Sequence, residues 1–204
     1  MTTPIAELNG MYMITEADKQ RFAECSGGAY VGYPLFDWIF RGRSDSERSH
    51  AIWNANYAAF TPSVVIYSDS AEVRGTAVFV RPGCEPINDW RFLRHCPHLL
   101  WPHMTRIIRY SLICESVARK YSDGETWYLY DLAVRPQNQG EGIASKLLRP
   151  MLAYFDRVGA KCYLETHDSK NVAIYEHFGF ALVESPTLPH SELRHYAMLR
   201  KPKP

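Results

Sequence analysis

No apolar stretch of the chain approaches the roughly 20 residues needed to span a bilayer. The opening MTTPIAELNG also lacks the positive start and apolar stretch of an export signal, so the expectation is a cytoplasmic protein with no membrane partner. Charge of one sign is missing as well. With 23 Lys and Arg against 22 Asp and Glu, the net charge is +1, and nothing global points to nucleic acid. Cysteine is sparse: Cys25, Cys84, Cys96, Cys114 and Cys162 are odd in number, scattered and without a CxxC spacing. That argues against a disulfide framework or a zinc site and for reduced, mostly buried thiols, with no metal expected. Repeats and low-complexity segments are absent too. What is there, 204 residues of which 46% are hydrophobic and 22% charged, suits one domain over 1–204 large enough to bury a continuous core.

Periodicity divides the chain into elements. Met11 to Thr15 reads as a short strand, and Thr15 as the cap of a first helix in TEADKQRF with acidic residues in its first turn. Pro34 stands where a second helix can begin, and Ser44 to Phe60 reads as a third. SVVIYSD and GTAVFVRP have the β-branched content of a hairpin. Between Asn88 and Tyr121 the pattern is helical but broken by Pro97 and Pro102, predicting one short helix and one longer. WYLYDLAV is apolar on both faces except at Asp131, as befits a central strand. Ile143, Leu147, Leu148, Met151, Leu152 and Phe155 recur at helical spacing across Pro150, where a kink is expected. KCYLET, a helix over Asn171 to Phe178 closed by Gly179, and strands in FALVESP and ELRHYAMLR complete the chain. About seven strands and five or six helices, mixed rather than strictly alternating, predict an α/β (α+β) sandwich with a mixed sheet.

The turn between WYLYDLAV and its helix carries the chemistry. Gly140 and Gly142 remove side chains at a helix start, so backbone N–H groups from Gln139 to Ala144 can close on an anion such as phosphate, aided by the helix dipole. No Lys-Ser/Thr follows the second glycine, and Ser145 fills the last position of what would be G-x-G-x-x-G. As a bare pattern the turn is more often explained by packing.

The segment from Val134 to Ala144, VRPQNQGEGIA, resembles the acetyl-CoA signature Q/R-x-x-G-x-G/A of the GNAT N-acetyltransferases, with Gln137, Gly140 and Gly142 at its fixed positions. TWYLYDLAV, the proline-bearing helix, YLET, Asn171, Tyr175-Glu176 and Gly179-Phe180 follow in order, as in the branch that includes puromycin N-acetyltransferase. The likeness is dense over Trp127 to Phe180; before Tyr121 only the order of elements agrees. It implies a GNAT fold, a central mixed seven-stranded sheet flanked by helices and splayed between the fourth and fifth strands. It also implies acetyl-CoA as cosubstrate without a metal, and transfer of the acetyl group to a primary amine. Carried over residue by residue, it places the pantetheine arm against the backbone of Leu132, Ala133 and Val134. The pyrophosphate then falls on the amides of Gln139, Gly140, Glu141, Gly142, Ile143 and Ala144. Asn171 bonds the arm, and Tyr175 is the acid for the departing thiolate. Four residues apart, Asn171 and Tyr175 share a helix face. Taken alone, Tyr175 reads first as a core aromatic, and Asn171 can be read as only a helix cap.

A primary amine is mostly protonated near neutral pH, so direct attack needs a base. Asp131, an acid inside an apolar strand, is the leading candidate; the other reading is a buried structural acid. Glu165, at the end of YLET, is second, and reads otherwise as a strand-end cap. Cys162 reads as packing rather than a nucleophile. The expected partner is a small-molecule amine, with a protein or peptide acceptor and a non-catalytic acetyl-CoA-binding module as alternatives and homodimerisation left open. Tyr30, Tyr33, Phe36, Trp38, Trp53 and Tyr57 read either as core or as the walls of a pocket for an apolar or aromatic amine. Arg91, Arg94, His95, His98, His103, Arg106 and Arg109 read as a solvated helix face rather than a nucleic-acid patch.

Overall fold

A computed structural model of the chain describes residues 5, 8, 10–188 and 190–203, apart from the side chain of residue 98. The first half holds β1 (Tyr12–Met13), α1 (Lys19–Ala29), α2 (Pro34–Phe40), α3 (Ser46–Ala59), β2 (Val64–Ser68) and β3 (Gly75–Val80). Next come α4 (Asp89–His95), α5 (Pro97–Leu100), α6 (Met104–Tyr121), β4 (Trp127–Val134) and α7 (Ile143–Val158). The chain then runs through β5 (Cys162–Thr166), α8 (Ser169–His177), β6 (Ala181–Glu184) and β7 (Tyr196–Arg200). There are more helices than the five or six expected, partly because Pro97 and Pro102 do not simply interrupt. Each stands in the first turn of a new short helix, α5 and a 3-10 turn over Trp101–His103, where the missing N–H costs nothing.

The seven strands form one mixed sheet in the order β1-β2-β3-β4-β5-β7-β6. Neighbours are antiparallel except β4 and β5, which run parallel. Alternation along the strands sorts their side chains to two faces. On one face Val65, Tyr67, Ala77, Phe79, Trp127 and Leu129 meet the apolar stripe of α7. That stripe is the predicted set, Ile143 to Phe155, every member buried, and the helix continues through Pro150. On the other face Val64, Ile66, Val78 and Val80 meet Phe22 and Ala23 of α1 and Trp53 of α3.

Two irregularities set up the site. In the β3–β4 ladder Val78 pairs with Asp131 but Phe79 with Leu129, leaving Tyr130 as an extra residue, a β-bulge. A bulge puts two successive side chains on one face: the Tyr130 hydroxyl donates to Asn56 Oδ1 of α3 at 2.7 Å, and Asp131 reaches Ser26 of α1. Just there β4 leaves β5. The two pair only as Trp127 with Cys162, Tyr128 with Tyr163 and Leu129 with Leu164, then part, so the sheet is split at its centre.

Candidate active site

On the α7 side of the split, β4 runs through Arg135 and a 3-10 turn over Pro136–Asn138 into the glycine turn. Gly140 and Gly142 have φ of 86° and 75°, in the left-handed region that suits glycine. A Cβ on either would meet no atom within 4 Å, so it is backbone conformation, not packing, that calls for glycine here. Gly142 is the N-cap of α7 and supplies no side-chain cap, leaving first-turn N–H groups for an anion. Arg74 lies 3.5 Å from Glu141 and Asn138 donates to it at 3.0 Å, which braces the turn from outside. The Gln139 side chain donates to the Val134 carbonyl at 3.4 Å. Ile143 is buried in the core, so only its backbone faces the turn.

Across the split stands α8. Its N-cap is Asp168, whose carboxylate accepts from the Lys170 N–H, so the helix starts two residues before the expected Asn171 and that side chain is free for another task. The Asn171 amide donates to Thr166 Oγ1 at 3.1 Å, the same atom the Tyr33 hydroxyl meets at 3.1 Å. Tyr175, one turn on, packs on Phe180 at 5.8 Å between ring centroids. Burial, then the neighbouring Tyr33 and Asp131, push its phenol above the usual value, so it stays protonated. Tyr175 belongs to the same apolar cluster as Leu132 and Val134, while the Asn171 side chain is turned to the end of β5.

Asp131 faces α1. Only 2% exposed, it accepts from Ser26 Oγ at 3.0 Å through Oδ2, while Oδ1 has no hydrogen bond of normal geometry among the described residues. Burial pushes its pKa from 3.8 up to about 7, against bonds from Tyr30, Ser26, Thr76 and the Leu132 backbone. A carboxyl whose folded pKa lies above its unfolded one favours folding when protonated. That contribution is complete below about 4 and is lost as pH rises through about 7. Asp131→Asn removes this loss, and denaturant titrations at pH 5 and pH 8 read it. The substitution is expected to flatten the fall in stability between those pH values, by up to about 2.5 kcal/mol. A pH slope equal to that of the parent would show that Asp131 ionises without penalty.

Behind the split, on the α1 and α6 side, lies a cavity of about 780 Å³. Tyr30, Tyr33, Phe36 and Trp53 line it as the sequence suggested. Trp38 instead carries the Arg106 guanidinium over its ring at 5.3 Å, and Tyr57 packs on Phe22. Of the basic stretch, Arg91, Arg94, His95 and Arg109 are exposed and the His98 side chain lies outside the described residues. His103 and Arg106 turn inward: His103 faces Phe40 at 5.2 Å, and the Arg106 guanidinium donates to the Trp38 carbonyl.

Of the rest of the cavity wall, sequence offers Glu165 as the second candidate base but gives no site role to the others. Tyr110 and Cys114 come from α6, Tyr128 and Tyr130 from β4, and Glu165 and His167 from the end of β5. Only the bulge and the parting of β4 from β5 turn these toward a common space. Burial pushes Glu165 from 4.5 up to about 7, against hydrogen bonds from Tyr163, Cys114 and Tyr128; the Tyr163 hydroxyl donates at 2.9 Å. Burial also keeps His167 and its neighbour His195 neutral, lowering them to about 3 and about 4. Asp131 does not line the cavity, although Tyr30, which does, approaches it. Glu165 does line it.

A split mixed sheet with an uncapped glycine turn on one side and a partly open, carboxylate-bearing cavity on the other suits an enzyme that brings two substrates together. Residues 33–180 match the model of the acetyltransferase (GNAT) family, and the chain belongs to that family. An uncharacterized N-acetyltransferase of Schizosaccharomyces pombe is 39% identical over 66 residues, 32% of this chain. The match spans only 27% of that relative's own length. Among solved structures, a histone acetyltransferase HPA2 and related acetyltransferase from Corynebacterium glutamicum superposes with a TM-score of 0.61 at 20% identity, over 95% of this chain and 97% of that one. The PaiA N-acetyltransferase from Thermoplasma acidophilum, in complex with coenzyme A, superposes at 0.55 and 11% identity, over 94% and 97%. Both likenesses are of fold. No helix among the described residues is long and apolar enough to cross a membrane.

Proposed function

We propose that the chain is an acetyl-CoA-dependent N-acetyltransferase acting by direct transfer on a primary amine of a small molecule with an apolar or aromatic body. The observation that carries this is a ring-lined cavity of about 780 Å³ with the buried carboxyl of Glu165 in its wall, beside the place where β4 and β5 part. The volume is within the range of small-molecule sites. The left-handed Gly140 and Gly142, with open space beyond them and uncapped amides, fit a pyrophosphate. The parted edge of β4 at Leu132, Ala133 and Val134 offers main-chain groups to an extended arm, and Asn171 and Tyr175 close it from α8. Acetyl-CoA supplies an activated thioester carbonyl. The chain does the rest: ring walls exclude water, Glu165 takes the proton from the incoming ammonium, and the Tyr175 phenol returns one to the leaving sulfur.

Similarity to the puromycin N-acetyltransferase branch rests on motif order over Trp127 to Phe180 and does not choose the acceptor. An amine panel followed by release of free CoA does. Arylalkyl and alkyl amines are expected to be turned over faster than amino acids or peptide N-termini; preference for peptides would move the acceptor out of the cavity. Tyr175→Phe is expected to keep acetyl-CoA binding and lower kcat by about 10-fold or more. Unchanged turnover would remove its acid role and leave it a core ring on Phe180.

A further inference from the structure

The cavity wall contains a second group of side chains that acyl transfer does not use. Cys114 of α6, His167 just past β5 and His195 just before β7 are distant in sequence, yet their ligand-type atoms all lie within 4.8 Å of one another. His195 Nδ1 is 3.1 Å from His167 Nε2 and 3.7 Å from Cys114 Sγ. A tetrahedral ion with bonds of about 2.0–2.1 Å to nitrogen and about 2.3 Å to sulfur sets its ligands about 3.4 Å (N to N) and about 3.6 Å (N to S) apart. The observed N-to-S separation agrees, the N-to-N separation is slightly shorter, and the third pair, Cys114 with His167, lies within 4.8 Å.

Hydrogen bonding accounts for only part of the group. The Cys114 thiol reaches Glu165, and His195 Nδ1, with one position in its ring plane, can then donate to His167 Nε2. That arrangement leaves a bare lone pair on His195 Nε2. His195 is also fully buried, and its Nε2 has no hydrogen-bond partner among the described residues. The carboxylate facing that nitrogen is Glu165, with Oε1 at 3.7 Å.

We infer that Cys114 Sγ, His167 Nε2 and His195 Nδ1 form a binding site for a divalent transition metal ion of the zinc class. One ion takes both imidazole lone pairs and the thiolate, and the Cys114 proton leaves to solvent on binding. The proton of His195 must then sit on Nε2, where it turns toward Glu165, the carboxylate that commonly orients a metal-bound histidine. One thiolate with two imidazoles suits Zn²⁺ over Mg²⁺ or Ca²⁺, which take oxygen. Cys114 and His167 both line the cavity, so the fourth coordination position belongs to the acceptor side, as in zinc sites with three protein ligands and an open place. The scattered cysteines excluded a multi-cysteine framework; this site needs only one.

Cobalt reports the geometry without reference to acetyl transfer. The full chain, stripped with chelator and titrated with Co²⁺, is expected to bind one ion per chain with the intense visible bands of tetrahedral cobalt and a thiolate-to-cobalt charge-transfer band, both bleached by Zn²⁺. Cys114→Ser should lose the charge-transfer band and bind at least about 10-fold more weakly. Its metal-free circular dichroism should overlay that of the parent, which separates loss of a ligand from loss of fold. Absence of tetrahedral bands at stoichiometric Co²⁺ in the parent overturns the site, and so does an unchanged spectrum in Cys114→Ser. Either failure leaves acetyl-CoA binding, and the proposed activity, untouched.

Discussion

Gly142→Trp is expected to abolish the thermal stabilisation that acetyl-CoA gives the parent protein. At 100 times its Kd a ligand that binds only the folded state stabilises by about 2.7 kcal/mol, readily seen as a rise in Tm. Two effects of the substitution act in the same direction. Gly142 has φ of 75°, and a side chain there would have to adopt a conformation that costs on the order of 1 kcal/mol. The space beyond it is open in this structure, so an indole would occupy the volume assigned to the pyrophosphate. Gly142 is exposed at the tip of the turn, so the variant itself should melt within a few degrees of the parent. A parent whose Tm does not respond to acetyl-CoA would remove the donor assignment altogether. A variant that still responds would put the phosphates elsewhere.

The parts of this molecule that were legible in sequence are those whose cause is local. The α7 stripe from Ile143 to Phe155, the β2–β3 hairpin, the glycine turn and the central position of WYLYDLAV all follow from spacing within one segment, and the structure has each. The helix before Gly179 was placed, but its start was read two residues late because Asp168, a cap as good as Asn171, stood just upstream. What sequence could not show depends on partners remote in the chain. Tyr130 is an extra residue only because Val78 and Phe79 fix the register on either side of it. Strict alternation therefore could not place Tyr130 and Asp131 on one face. Glu165 becomes a cavity wall only because β5 loses its partner after Leu164. Cys114, His167 and His195 share no local spacing; α6 and β7 bring them together.

Glu165→Gln is expected to lower kcat/KM for the best amine by about 10²–10⁴-fold, the usual worth of a general base, while leaving acetyl-CoA binding intact. An ammonium group has no lone pair, so attack on the thioester needs a proton acceptor on the acceptor side of the split. Among the carboxylates lining the cavity, Glu165 is the one at the end of β5, where the sheet opens, with a side chain only 7% exposed. Glutamine keeps the shape and can still accept from the Tyr163 hydroxyl, which in the parent donates to Oε1 at 2.9 Å. The fold is therefore preserved and the proton acceptor is what is lost. Asp131 provides the contrast. Its carboxyl is turned to Ser26 and away from the cavity lining, so Asp131→Asn should alter the pH dependence of stability far more than turnover. If steady-state rates fall in Asp131→Asn and hold in Glu165→Gln, the base lies on the α1 side of β4, with Tyr30 carrying the proton between the cavity and Asp131. Loss in both variants, with acetyl-CoA binding retained, would mean that the two carboxyls act on one proton path through the split.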